Sequence, residues 1–110
     1  MAYDEGLAAI IEDLTIGRDG FTTKRMFGGL CYLQHGNMAC GIHEDRLMVR
    51  LGDDESARAA IDAGQALPMD FTGKVMKGWV LVPAEQITGP EVVKSWIDQG
   101  LAFAGSLPPK

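Results

Sequence analysis

Histidine and cysteine are scarce in this chain, two of each in 110 residues, and basic residues are outnumbered by acidic ones, ten against fifteen. Each shortage removes a class of function. A net charge of −5 argues against a broad nucleic-acid footprint, which needs a basic face, so direct nucleic-acid binding is not expected. No apolar run approaches the ~18 residues of a membrane span. The opening MAYDEGLAAI lacks a basic n-region and begins acidic, unlike a signal peptide. Two cysteines without an export signal read as reduced thiols, and the expected location is the cytoplasm. Gly73-x4-Gly78 lacks the following Lys-Ser/Thr of a phosphate loop. Repeats, linkers and low-complexity segments are missing.

What is present suffices for one core: 46% of the residues are hydrophobic. The expectation is a single domain over residues 1–110. Its centre is the stretch Lys24–Leu51, which reads as a three-stranded antiparallel meander. Strands are expected at Arg25–Gln34, Met38–His43 and Arg46–Leu51, with turns at Gly36-Asn37 and Glu44-Asp45. Gly28-Gly29 interrupts the first strand, as a bulge or close backbone approach does.

Side-chain alternation then assigns the faces. With Gly36-Asn37 as the turn, Cys31, Leu33, Met38, Cys40 and Ile42 share a core face with Leu47, Val49 and Leu51, and His35 sits at its tip. Leu30, Tyr32, Gln34, Ala39, Gly41, His43, Met48 and Arg50 share a mixed face suited to contact.

The helices have their own signals. Asp4-Glu5 starts a helix carrying Leu7, Ile10, Ile11 and Leu14, and Gly17 stops it. Asp53 caps a short second helix with Ala57, Ala60 and Ile61 on its apolar stripe, ended by Gly64. Strands follow at Ala66–Thr72 and Trp79–Val82, joined by an irregular connection and stopped by Pro83. Thr88 and Glu91 have capping-box spacing, with Pro90 in the first turn of a third helix that runs to Gly105. The order is αβββαββα. The simple way to bury these faces is an α+β two-layer sandwich, an antiparallel sheet with helices on one face.

Candidate chemistry is sparse. Cys31-x3-His35 and Cys40-x2-His43 suggest a zinc set, but His43 faces away from the other three. Cys31 and His35 also stand about 13 Å apart along a strand, whereas zinc ligands converge within ~2–2.3 Å. No metal site is expected. A Cys31–Cys40 disulfide is not expected either, since the two are diagonal rather than opposed. Core thiols outweigh a nucleophile, because His35 is too far along the strand to serve Cys31. Lys24, Arg25, Arg50, Lys74 and Lys77 are half of the basic residues. They either meet an anionic ligand or are ordinary solvated charges. Arg25 with Asp70 would make a structural ion pair. Met26, Met38, Met48, Met69 and Met76 either fill the core or, with Tyr32 and Trp79, form an adaptable partner-binding patch.

Four motifs in sequence order carry a resemblance: Arg25-Met26-Phe27-Gly28-Gly29, Asn37-Met38-Ala39-Cys40-Gly41, Leu47-Met48-Val49-Arg50-Leu51-Gly52, and the run from Pro68 to Trp79. Together they resemble the N-terminal domain of the TfoX/Sxy proteins, from the first helix to about the third. The resemblance implies a bacterial protein with a two-layer αβββαββα fold like that of secretion chaperones. Two-domain relatives regulate DNA-uptake competence and are thought to assist the cyclic-AMP receptor protein. This chain would be a stand-alone, single-domain member. The family offers no catalytic residue and no cofactor to carry over. The expected function is a small cytoplasmic interaction or regulatory domain acting through protein contacts, with a transcription regulator as partner, or as a homodimer. Expected contact residues are Arg25, Tyr32, Arg50, Lys74, Lys77 and Trp79. The alternative is a small-molecule domain or enzyme that takes an anionic ligand through Arg25, Arg50, Lys74 and Lys77.

Overall fold

A computed structural model describes residues 4–26, 29–69 and 77–109. The chain begins with helix α1 (Glu5–Thr15), followed by strands β1 (Phe21–Met26), β2 (Gly29–Gln34), β3 (Asn37–His43) and β4 (Arg46–Arg50). Helix α2 (Asp54–Asp62), strands β5 (Leu67–Pro68) and β6 (Trp79–Val82), a 3-10 turn at Ala84–Gln86 and helix α3 (Pro90–Ser106) complete it. All strand pairs are antiparallel, in the order β1-β2-β3-β4-β6-β5. The architecture is the expected α+β one, an antiparallel sheet with three helices.

Local chemistry sets the helix ends. The Leu7 N–H donates to Asp4 Oδ1 at 3.1 Å, and the Ser56 N–H donates to Asp53 Oδ1, so both caps fall where expected. The α3 cap does not. Pro90 takes the first helical position, where its missing N–H costs nothing. Gly89 is therefore the cap, without a side-chain hydrogen bond, in place of the expected Thr88.

Two expectations for the meander are corrected. The single strand expected at Arg25–Gln34 is a hairpin of β1 and β2, with Met26 opposite Gly29. β1 begins at Phe21, four residues ahead of the expected strand start at Arg25. Thr22, Thr23, Lys24 and Arg25 are all exposed on this edge strand, so no apolar alternation announces it. The expected strand at Ala66–Thr72 is described only as Leu67–Pro68; its end from residue 70 on lies outside the described residues.

The second correction concerns register. The turn between β2 and β3 is His35-Gly36, not Gly36-Asn37. Both turn residues have positive φ, 53° and 83°, as a type I′ turn requires. Asn37 instead pairs with Gln34, and its buried side chain donates from Nδ2 to the Pro108 carbonyl at 3.0 Å. Moving the turn by one residue shifts the pairing by two positions and so leaves the faces unchanged; a one-residue slip, which turns a strand over, comes further along the hairpin. A register shift then makes Tyr32 pair with Cys40 after Leu33 pairs with Met38, leaving Ala39 as the extra residue of a bulge.

Leu30, Tyr32, Cys40, Ile42, Leu47 and Val49 consequently form one core cluster with all three helices. Cys31, Met48, Met69, Trp79 and Leu81 form a second cluster, with Met38 against it. No helical residue is among the described members of that second cluster. One cross-strand row spans the sheet on this side: Lys24, Cys31, Gly41, Met48, Leu81, Leu67. Gly41 leaves the space that the Met48 methyl occupies, since a Cβ there would lie 2.6 Å from Met48 Cε.

α3 lies on β3 at Gly100, where a Cβ would strike the Ala39 carbonyl oxygen. Gly100→Ala therefore sets about 1 kcal/mol of helix propensity against a backbone clash costing about 1–3 kcal/mol. The clash should win, so thermal melting should show a lowered midpoint. Gly105→Ala on the same helix meets nothing nearer than Gln34 Cγ at 3.8 Å and should leave the midpoint unchanged or raised. A stabilised Gly100→Ala would show that α3 can lift off β3 without cost.

Candidate functional site

The residues with the most distinctive chemistry meet where the sheet side opposite the helices borders α3. Arg50 and Trp79 are cross-strand partners on β4 and β6. The Arg50 Cζ atom lies 6.0 Å from the Trp79 ring centroid and 5.1 Å from that of Phe103. Such contacts contribute roughly 0.5–2 kcal/mol each. Arg50 Nη1 also donates to the Met38 carbonyl at 3.3 Å.

Two glycines shape this corner. Gly52, at φ 101°, has no room for a Cβ because the Phe103 ring occupies it. Gly78, at φ 81°, offers its carbonyl to the Leu51 and Gly52 N–H groups at 2.7 and 3.1 Å. These bonds hold the end of β4 against the start of β6, which fixes Arg50 beside Trp79.

The charge balance at this corner is unusual for the chain. Arg46 meets Glu44 at 2.6 Å, Arg58 meets Asp54 at 3.4 Å and Lys94 meets Asp98 at 2.6 Å. Arg50 is half-buried, and among the described residues no carboxylate lies within 4.0 Å of it.

The other expected contact residues are scattered. Arg25 is exposed on β1 opposite Leu30, on the helix side. Three strand spacings separate β1 from β4, about 14 Å, so Arg25 does not converge with Arg50. Tyr32 is 0% exposed and stacks on Phe21 at 5.6 Å in the helix-side core, away from the contact face to which the expected register assigned it. Lys77 is exposed, two residues before Trp79. Lys74 and Asp70 lie outside the described residues, and so does the expected Arg25–Asp70 pair. Phe103 was missed. It lies seven residues after Trp96, at the margin of the α3 stripe of Val93, Trp96, Ile97, Leu101 and Ala104, so nothing in the spacing marked it as a neighbour of Arg50.

The thiols belong to opposite clusters, Cys31 away from the helices and Cys40 toward them. Both are free and 0% exposed. The Cys31/His35/Cys40/His43 set therefore does not converge. Among the described residues no group of three or more His, Cys, Asp or Glu side chains is placed to hold a metal ion. None of the described helices is long and apolar enough to cross a membrane. A groove of 590 Å³ separates α2 from α3. Leu51, Ala60, Val92 and Trp96 line it with neutral polar groups, and Glu91 is the only charge among the lining residues, so it does not suit an anion.

A family model described as the TfoX N-terminal domain matches residues 13–104. No curated protein and no solved structure matches the chain.

Burial raises both thiols above their ordinary value of 9.0, and the neighbouring Cys31 adds to the rise at Cys40. The folded chain keeps these protons at a pH where the unfolded chain loses them. Their stabilising contribution is complete below 9.0 and declines as pH rises past it, by up to about 1.4 kcal/mol per unit per thiol. Denaturant melts at several pH values above 9 should show this decline, and Cys40→Ala should flatten it. An unchanged slope in Cys40→Ala would exclude that thiol as a cause.

Proposed function

The chain belongs to the TfoX N-terminal domain family, and on that premise we propose that it is a competence-regulator-like cytoplasmic domain that acts through protein contacts. The observation that supports this reading is the asymmetry of the sheet. Three helices supply buried residues to one cluster, whereas the opposite side carries an apolar cluster of its own. At the β5 end of the row that crosses it, Leu67 is 49% exposed beside Leu81. An apolar side chain left in water next to a buried apolar cluster suits a contact surface better than a reaction site. The expected partner is a transcription regulator, and self-association through the same face is the simplest oligomer.

A second reading, an anionic small-molecule domain or enzyme, draws support from Arg50 alone. The scatter of Arg25 away from Arg50 weakens it, because one guanidinium is a small share of the charge that a phosphorylated metabolite carries.

Co-purification with a tagged chain in its own host tests the proposal. The wild-type chain should capture a transcription regulator in stoichiometric amount, and Leu67→Lys should lose it. Exposed substitutions usually change stability by less than about 0.5 kcal/mol, so the melting midpoint should stay within a few degrees. Equal capture by the folded Leu67→Lys chain would remove this face from the interface. No captured protein from wild type would remove the reading itself.

A further inference from the structure

We propose that the Arg50 corner is a docking point for a single carboxylate flanked by an apolar side chain, as an acidic peptide segment presents it. The inference rests on the protein-contact reading and specifies the chemistry of one contact. A guanidinium has five N–H donors, and among the described residues Arg50 commits one of them, to the Met38 carbonyl. The Trp79 and Phe103 rings lie against the cation. They hold the planar group in place and shield it partly from water. A charge-assisted hydrogen bond gains strength in such surroundings, and a preorganised fork loses less entropy on pairing.

Charge and surroundings decide between anions. The corner offers one half-buried cation, with exposed Lys77 two residues from Trp79, in a chain of net charge −5. A polyanion would meet repulsion from the rest of the surface. A carboxylate brings one negative charge and two oxygens, which match the guanidinium fork. Trp79 is buried, whereas Phe103, whose ring lies against the cation, and Met38, whose carbonyl it meets, are half-buried, and apolar surface left beside a cation suits an apolar neighbour of the acid.

Titration of the isotope-labelled full chain with N-acetyl-Leu-Asp-Leu-amide, followed by NMR, is the test. The Arg50 Nε–H and Trp79 indole N–H resonances should shift, with binding at least tenfold tighter than for the matching Asn peptide. Arg50→Lys keeps the charge without the fork and should weaken binding severalfold, and Arg50→Gln should abolish it. The Asp/Asn comparison on the wild-type chain decides even if a variant fails to fold. No shift, equal response to the two peptides, or an equally strong response to inorganic phosphate would overturn the proposal. Co-purification separates this from the broader reading. A partner captured equally well by Arg50→Gln removes the docking point and leaves the protein-contact reading standing. Absence of any partner, with the Asp peptide still preferred tenfold, removes the broader reading and upholds the carboxylate site.

Discussion

Which residues meet the helices depends on the β2–β3 hairpin and its bulge at Ala39. His35 and Gly36 both take positive φ, so the turn adopts the twist that a two-residue hairpin needs. One extra residue on β3, Ala39, then places Leu30 and Tyr32 with Cys40 and Ile42 under the helices and Cys31 on the other side. Without that residue Cys31 would pair with Cys40 and follow it into the helix-side core, and fully buried Tyr32 would be expelled. The tail helps to hold the register, because Asn37 is tied to the Pro108 carbonyl. The bulge at Ala39 then lets Cys40 and Ile42 join the same core, and Gly100 lets α3 approach the bulged strand.

The two faces of the sheet that results are unequal in kind. The helix side is closed by residues that the helical spacing dictates. The other side combines methionine, cysteine and tryptophan around a glycine, a mixture that fills irregular space with flexible groups. Met48 folds over Gly41, and Arg50 lies against Trp79 and Phe103. The aromatic carbons shield the alkyl stem and faces of the arginine while its head keeps donors to spare. The same corner therefore completes a core and carries recognition chemistry.

Much of this was legible in the residues. The three helices and two of the caps could be read because helical periodicity and capping residues are local signals; the layer arrangement followed from their apolar faces, and the family from the four motifs that resemble it. β1 was hidden, since an edge strand of exposed Thr, Thr, Lys and Arg has no apolar alternation. The turn was misplaced by one residue because glycine and asparagine both tolerate positive φ, so Gly36-Asn37 looked better than His35-Gly36. The tie from Asn37 to Pro108, 71 positions away, favours keeping Asn37 in the strand, and no local signal announces it. Phe103 beside Arg50 is likewise a long-range meeting that spacing along α3 could not reveal.

The same comparison limits what the basic residues do together. Their closeness in the motifs suggested a shared anion site, yet strand order separates Arg25 from Arg50 by three strand spacings. A cation at the edge of β1 is well explained as protection of an exposed edge, since charged side chains discourage strand addition. Lys24 and Arg25 fit that role. Arg50 does not, because β4 is an interior strand with β3 and β6 on its two sides. Half-burying a guanidinium there costs solvation, and the two rings and one carbonyl offset part of that cost. An apolar side chain at position 50 would cover the corner without it. What the arginine adds is directional donors at the margin of an apolar face, and that is the property a contact surface uses to choose among partners.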